Sequence, residues 1–299
     1  METIDLELIR IFVKVIQQGS FSKASIILGI PKSTVSKSVT KLEETLGTKL
    51  LLRTTRSQSL TSSGRLFYET CLEPIQVLED AQRSMTGQDS IVSGNIKITA
   101  PEDIGYQIVS PIVGELTQKY TELTFEMHFT NSIVDLIADG FDLAVRIGPL
   151  RESNLKARKI GNLDMSLVAA DSYLKKHPPI LKPKDLENHD VLMLPPVSSK
   201  NYWSLVKGKT QVKVPVKTRL VSNQITSLLY SAAAGGGITL APAFLCRNLL
   251  EEKGLIRVLP EWKIKGIPIS LVSPIATSSS ARLKIVSDAL FDTISSRLN

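Results

Sequence analysis

The stretch IPKSTVSKSVTKLEETLG, residues 30 to 47, constrains the fold more than any other in the chain. Val35, Val39, Leu42 and Leu46 recur at steps of four, three and four, which places them on one side of an α-helix. The other side reads Ser33, Ser36, Lys37, Thr40 and Lys41, and acids follow only at Glu43 and Glu44. A helix bearing its apolar stripe on one side packs on neighbours, and the neighbouring sequence supplies them.

Leu6, Ile9, Phe12, Val13 and Ile16 form a helical stripe that ends at Gly19. Ser20 offers a hydroxyl cap for a second helix, 21 to 28, with Ala24, Ile27 and Leu28 inward. Gly29 permits a tight turn, and Pro31 has its φ already set for a first helical turn, so the third helix starts there. Residues 21 to 40 therefore read as a helix-turn-helix. Two short strands, 49 to 53 and 57 to 61, flank a basic tip at Arg53 and Arg56 and read as a wing.

A helix over 63 to 85 follows. Phe67, Cys71, Pro74, Leu78, Ala81 and Met85 repeat at helix-pairing spacing along it. This seam predicts pairing of two chains through Phe67, Cys71, Leu78 and Met85, with a kink at Pro74. Packing of the same helix on its own domain is the alternative reading.

The formal charge is +7, and residues 20 to 56 carry most of it. Lys23, Lys32, Lys37, Lys41, Lys49, Arg53 and Arg56 stand there against Glu43 and Glu44 alone. Most charge runs are solvated faces, but the overlap with the helix-turn-helix weights this one toward nucleic acid. Two distant cysteines, Cys71 and Cys246, make no disulfide framework and point to a reducing compartment. The N-terminus lacks a basic leader and an apolar core, so a cytoplasmic protein is expected. The uncharged run between Arg219 and Arg247 is broken by Asn223, Gln224, Gly235 to Gly237 and Pro242, so no membrane span is expected.

GQDSIVSG, residues 87 to 94, is a small polar hinge. Beyond it the texture alternates. Strands are predicted at 95–100, 123–129, 141–147, 163–169, 190–194, 216–221, 238–241, 256–259 and 267–273. Helices are predicted near 104–119, 132–139, 224–234, 243–251 and 279–298. Such alternation implies an α/β domain in two lobes.

Major-groove recognition needs a narrow helix, donors for phosphate at its start, and longer polar side chains aimed at base edges. Short hydroxyl side chains allow close approach, and the positive helix N-terminus adds attraction. Lys32, Ser33, Thr34, Ser36, Lys37, Thr40 and Lys41 fit that description, with Ser20 and Ser22 at the preceding helix start. Glu43 and Glu44 are expected where the helix leaves the phosphates.

Residues 1 to 64 resemble the winged helix-turn-helix of LysR-type transcriptional regulators. The matching positions are Gly19-Ser20-Phe21, Ala24, Ser36-Lys37, Leu42-Glu43, Leu46-Gly47, Arg53, Leu60-Thr61 and Gly64. Lys37, whose ammonium makes the bidentate fork to guanine less readily, stands where the family commonly has Arg, and Leu51-Leu52-Arg53 replaces Leu-Phe-Arg. The resemblance implies groove contacts by Ser33, Ser36 and Lys37, with Arg53 and Arg56 on flanking phosphate or minor groove. It continues through GNIKITAPEDIG, DLIADGFDLAVRIGPL, LVAADSYLKKHP, Trp203 and GGGITLAPAFL, which resemble the family's effector domain.

The implied fold is an α/β effector domain of periplasmic-binding-protein type in two lobes, preceded by an all-α-rich winged helix-turn-helix domain and a long linker helix. Boundaries are expected at 1–62, 63–91 and 92–299, with lobe 1 at about 92–162 and 267–299 and lobe 2 at about 163–266. A small-molecule effector would sit between the lobes, contacted by strand ends and helix N-termini. Thr99, Ala100 and Pro101 at the first strand end, Asn131 and Ser132 at the start of the next helix, Arg146, and Ser222 with Asn223 are the matching positions. Each also has a local reading, as a cap or a buried ion pair. Glu102 and Asp103 nearby oppose an anionic effector, so a neutral one stays open. The implied partners are double-stranded DNA, the effector and further copies of the chain as homodimer or homotetramer, with RNA polymerase a candidate.

An enzyme is the runner-up class. Ser-x-x-Lys occurs five times in this Ser- and Lys-rich chain, which signals chance. No Gly-x-Ser-x-Gly, phosphate loop or paired-histidine metal site occurs, and His128, His177 and His189 lie far apart. No catalytic residue, metal or cofactor is therefore assigned. A free-standing solute-binding protein, the third class, has no use for the basic first domain.

Overall fold

The computed structural model describes residues 4–53, 58–85, 92–150, 152–195, 202–242, 244–245 and 254–298. The predicted tip residue Arg56, most of the 87–94 hinge, Cys246 and most of the predicted 243–251 helix lie outside them.

Helix α1 (Leu6–Gln18) starts where the Asp5 carboxylate accepts the Glu7 N–H at 2.9 Å, and stops at Gly19, whose φ of 60° needs no Cβ. Helix α2 (Phe21–Leu28) is capped by Ser20 Oγ, which accepts from Ser22 N at 3.2 Å. Ala24 is buried and Leu28 packs on the core, but Ile27 is 57% exposed, contrary to expectation. A two-turn helix touching its neighbours along Ala24 leaves Ile26 and Ile27 on the outer arc. Helix α3 (Lys32–Leu46) buries Val35, Val39 and Leu42 completely.

Strands β1 (Leu51–Arg53) and β2 (Gln58–Leu60) pair antiparallel as the wing. Glu43 corrects the sequence reading: its carboxylate points inward, 3% exposed, and accepts from Leu50 N and Leu51 N at 3.0 Å each. It ties the wing to α3. Only Glu44 faces solvent.

Helix α4 (Ser62–Met85) runs unbroken through Pro74. It buries Tyr68, Leu72 and Ile75 against its own chain, and Phe12 meets Phe67 at a tilt and Tyr68 edge-to-face, with ring centroids 5.9 and 6.4 Å apart. Arg10 and Lys14 of α1 reach Glu79 at 3.2 and 3.0 Å.

Strand β3 (Gly94–Ala100) pairs parallel with β4 (Leu123–Phe129) and β5 (Leu143–Ile147). Between β3 and β4 the predicted 104–119 helix is three pieces: α5 (Glu102–Ile104), a π-turn over Gly105–Val109, and α6 (Ser110–Lys119). Gly105 lets this run press on Phe129, where a Cβ would stand 2.3 Å from the ring.

The predicted 132–139 helix is absent; the segment is bends and turns. The Asp135 carboxylate accepts from Ile137 N and Ala138 N at 3.1 Å each, which competes with helical pairing. Gly140, at φ 69°, then turns the chain where a Cβ would meet Gln17 O at 2.4 Å.

Strand β6 (Lys156–Ala170) runs antiparallel to β12 (Leu255–Ser273) along the length of both. The predicted strands 256–259 and 267–273 are thus two ends of β12, joined through register shifts that let the pair bend. The main sheet has the order β11-β6-β12-β5-β3-β4. Within it β11 (Thr239–Pro242) follows Gly237, whose φ of 145° and 2.4 Å approach to Asp190 O exclude a side chain. After the short α7 (Asp171–Leu174), β7 (Asp190–Met193) pairs parallel with β10 (Lys217–Val221), and α8 (Ile225–Ala233) covers them.

A hairpin not foreseen, β8 (Tyr202–Lys207) with β9 (Thr210–Pro215), turns at Gly208 and buries Trp203. The closing helix Ala281–Leu298 buries Leu283, Val286, Leu290 and Ile294 on β3 and β5. One apolar cluster joins α1, α3 and α4 to this lobe, and separate clusters fill the other.

Candidate functional site

The outer face of α3 presents Lys32, Ser33, Thr34, Lys37 and Lys41 exposed, with Ser36 and Thr40 half-buried. Pro31 gives no side-chain cap, and the first turn carries no acid, so the positive end of the helix dipole faces outward. Ser22, in the first turn of α2, is exposed, whereas Ser20 is occupied with capping α2. Among the described residues no carboxylate pairs with Lys32, Lys37 or Lys41. Arg53 extends from β1 opposite Gln58, and its side chain, like all of Arg56, lies outside the described set. The outer face of α3 is therefore cationic, with hydroxyls at its start.

On α4, Phe67 and Cys71 are half-buried and packed against the chain's own core, while Leu78 is 52% exposed. Burial pushes the Cys71 thiol up, and the side chain packs against the chain's own core. The Met85 side chain lies outside the described residues. Leu66 and Val77 add further exposed apolar surface that the seam reading did not include.

Between the two α/β lobes lies a cavity of about 800 Å³. Pro101, Asn131, Ser132, Arg146 and Asn223 line it, as expected from the sequence. Thr99 and Ala100 do not; both are buried within β3, where the side chains pack under the strand end. Ser222 is also absent from the wall, its hydroxyl accepting from Gln224 N at 3.2 Å as a local cap. Because no helix begins at Asn131 or Ser132, these residues supply no helix dipole, which corrects the basis on which they were chosen.

Most of the wall is apolar. Ile104, Leu163, Met165, Leu194, Ile225, Phe244, Leu245, Ile267 and Val272 contribute, mainly from the crossing strands β6 and β12 and from α8. Sequence reasoning favoured polar positions and missed them, although the alternation in β6 of residues 163, 165 and 167 signals a buried face.

Three contacts hold the lobes together across the mouth, and a fourth, within the first lobe, orients Asn131. The Gln224 side-chain amide donates to Glu102, and the Thr226 hydroxyl donates to Asp103. Asn131 Nδ2 donates to Asn223 O at 3.0 Å, and Asn131 Oδ1 accepts from Glu102 N at 3.3 Å. Glu102 and Asp103 therefore serve lobe closure. Arg146 donates through Nη2 to Val134 O at 2.8 Å, and burial draws its pKa below the ordinary arginine value.

A winged helix-turn-helix joined by a long helix to a two-lobed α/β receptor with a central cavity is the architecture of a one-component transcriptional regulator. Residues 6–65 match the bacterial regulatory helix-turn-helix domain of the lysR family, and residues 90–294 match the LysR substrate binding domain. The chain belongs to the LysR family of bacterial transcriptional regulators.

An HTH-type transcriptional regulator of Xanthomonas campestris is 36% identical over 264 residues, covering 87% of this chain and 77% of the relative. One from Haemophilus influenzae is 34% identical, covering 90% and 93%. Among solved structures, the full-length virulence activator AphB of Vibrio cholerae aligns with a TM-score of 0.60 at 27% identity, covering 97% of this chain and 99% of that one. CrgA of Neisseria meningitidis gives 0.61 at 27% identity, with the same coverage. Among the described residues no helix is long and apolar enough to cross a membrane.

Proposed function

We propose that α3 docks in the major groove of duplex DNA and that a small molecule bound between the lobes modulates the binding. The observation that carries the first half is the division of α3: Val35, Val39 and Leu42 are sealed in the core, while Lys32, Ser33, Thr34, Lys37 and Lys41 face out. Ser33, Ser36 and Lys37 read the groove, and Thr34, Thr40, Lys41, Ser22 and the wing arginines Arg53 and Arg56 hold the phosphates. Ser20 acts by fixing the start of α2. The second half rests on the cavity and on the contacts that close it, with Pro101, Asn131, Ser132, Arg146 and Asn223 in its wall.

The working unit is a cytoplasmic homodimer or homotetramer, paired through the exposed side of α4 around Leu66, Val77 and Leu78, with Phe67 and Cys71 beneath it. Domain limits of 1–62, 63–91 and 92–299 follow the wing, the long helix and the receptor. Two recognition helices would then meet half-sites roughly 34 Å, or a multiple of that, apart. The chain performs no chemistry on its ligand.

Footprinting of the full-length protein on the DNA flanking its own gene tests this reading. Protection of two half-sites in register with the helical repeat is the expected result. Failure to bind any duplex in dilute salt would sink the proposal.

A further inference from the structure

Two of the chain's three histidines, His177 and His189, meet at one place in the second lobe. His189 follows the 3-10 turn Pro183–Asn188 and is 1% exposed. Its Nδ1 lies 3.3 Å from the Tyr173 hydroxyl, whose oxygen accepts the Asp190 N–H at 3.0 Å. The hydroxyl proton is thereby left for the imidazole, so Nδ1 accepts and His189 is neutral with its proton on Nε2. That Nε2 is sealed from water without a well-aligned hydrogen bond. The His177 ring stacks on Tyr173 with centroids 3.9 Å apart, its Nδ1 2.8 Å from Tyr173 O, and lies 5.9 Å from the His189 ring.

The site resists a second proton. Burial, then the neighbouring His177, push the His189 pKa below the ordinary histidine value and outweigh the opposing pulls of the Pro178 backbone, Asp185 and Asp190. Both acids are committed elsewhere. The Asp185 carboxylate accepts from Leu181 N and Lys182 N at 2.9 Å each, and Asp190 is held by Arg219 at 2.9 Å and Lys217 at 3.2 Å. Protonation turns Nδ1 into a donor, so the Tyr173 hydroxyl must swing its own proton away from a buried ring that has become a cation.

The same hydroxyl fixes Asp190, the first residue of β7. Asp190 O accepts from Ile238 N at 2.9 Å, Leu192 N donates to Ile238 O at 2.8 Å, and Ser222 N donates to Met193 O at 3.2 Å beyond the pairing of β7 with β10. Past these bonds the chain enters the cleft wall at Leu194, Pro195 and Asn223, and Asn223 O bonds Asn131 across the mouth. Strand β7 therefore runs from the buried imidazole to the cleft.

We propose that His189 and Tyr173, braced by His177, form a proton-operated latch: neutral His189 holds the start of β7, and uptake of a proton from solvent releases the strand and loosens the cleft wall at its other end. Acid is the signal, and the response requires no ligand in the cleft. A histidine whose pKa is depressed on folding contributes stability that is full above the unfolded value of about 6.5 and is lost as pH falls through the folded value.

Trp203 and Trp262, the only tryptophans, lie in or against the apolar cluster that holds Tyr173 and Val191, so intrinsic emission reports on this lobe. The test titrates full-length protein from about pH 8 to about pH 5, following emission, melting temperature, and amide exchange in residues 190–194 and 217–223 corrected for its intrinsic pH dependence. Wild type should show a joint change below about pH 6.5, with faster exchange in both segments. His189→Gln, whose amide oxygen still accepts from Tyr173 but does not titrate, should not. Tyr173→Phe keeps the imidazole, removes its partner and should move the change to higher pH, which covers the case in which the Gln variant misfolds. A change that persists in His189→Gln, one that Tyr173→Phe leaves in place, or exchange in 190–194 that stays flat through the transition would overturn the latch. A histidine that merely packs would leave the pH profiles of wild type and the Gln variant parallel, and that result overturns it too.

Discussion

Arg65, in the first turn of α4, forks onto Asp135 with Nη2–Oδ2 at 2.6 Å and Nη1–Oδ1 at 3.2 Å. Asp135 belongs to the turn whose preceding residue, Val134, offers its carbonyl to Arg146 in the cavity wall. One short turn therefore touches the long helix on one side and the ligand cleft on the other. Gly140, at the end of the same turn, lies against Gln17 of α1. On the proposed function this turn would be the element that both sites bias, which coupling between them requires.

Asp135→Asn should lower stability by under about 1 kcal/mol, since the pair is partly exposed, yet alter the response of DNA binding to the cleft ligand. Burial pushes the Asp135 carboxyl up, but hydrogen bonds from Arg65, Ala138 and Ile137 outweigh it, and the pKa lies below the ordinary aspartate value. A depressed carboxyl contributes stability above its unfolded pKa and loses it as pH falls through the folded value. The melting difference between wild type and Asp135→Asn should accordingly be full at neutral pH and fade below about pH 4. A difference independent of pH would contradict the ion-pair account.

Glu43→Ala should cost about 2–4 kcal/mol in urea unfolding, because it orphans the Leu50 and Leu51 N–H groups that the carboxylate satisfies. Glu44→Ala, on the exposed side, should stay within about 0.5 kcal/mol of wild type. Equal costs at the two positions would refute the inward role of Glu43.

Gly64→Ala places a Cβ 2.0 Å from the Leu50 carbonyl oxygen, a backbone atom that has no rotamer to escape by. Loss of roughly 1–3 kcal/mol is expected, with the wing displaced from α4. Gly114→Ala, in the middle of α6 with open space around it, should instead stabilise by about 0.5–1 kcal/mol. Calorimetric melting of both variants separates the two outcomes.

Lys37→Ala should lower the preference for operator over random duplex, whereas Arg56→Ala should weaken both equally and flatten the salt dependence by about one unit of slope. Titrations at several salt concentrations distinguish them. Equal loss on both duplexes in the Lys37 variant would remove it from base reading.

The helix-turn-helix was legible because its signals are local. Spacing at Val35, Val39 and Leu42, the Ser20 cap and glycines at Gly19, Gly29 and Gly47 each act within one or two turns of chain. Strand positions in the receptor were legible for the same reason, and the resemblance carried their arrangement into two lobes. The turn at 131–140 was read as a helix because its spacing allows one, and nothing nearby in sequence reveals that Asp135 would bond its own backbone and Arg65.

What the sequence by itself determined was which residues point inward within each element, since periodicity and capping are set by neighbours along the chain. Tertiary structure alone decided the fate of the charges. Glu43 turned in to hold the wing, Glu102 and Asp103 were claimed by the second lobe, and Arg146 was left in an apolar wall. Those outcomes depend on partners up to 123 positions away, and a carboxylate reads the same in sequence whether its partner is water, a backbone N–H or a distant hydroxyl.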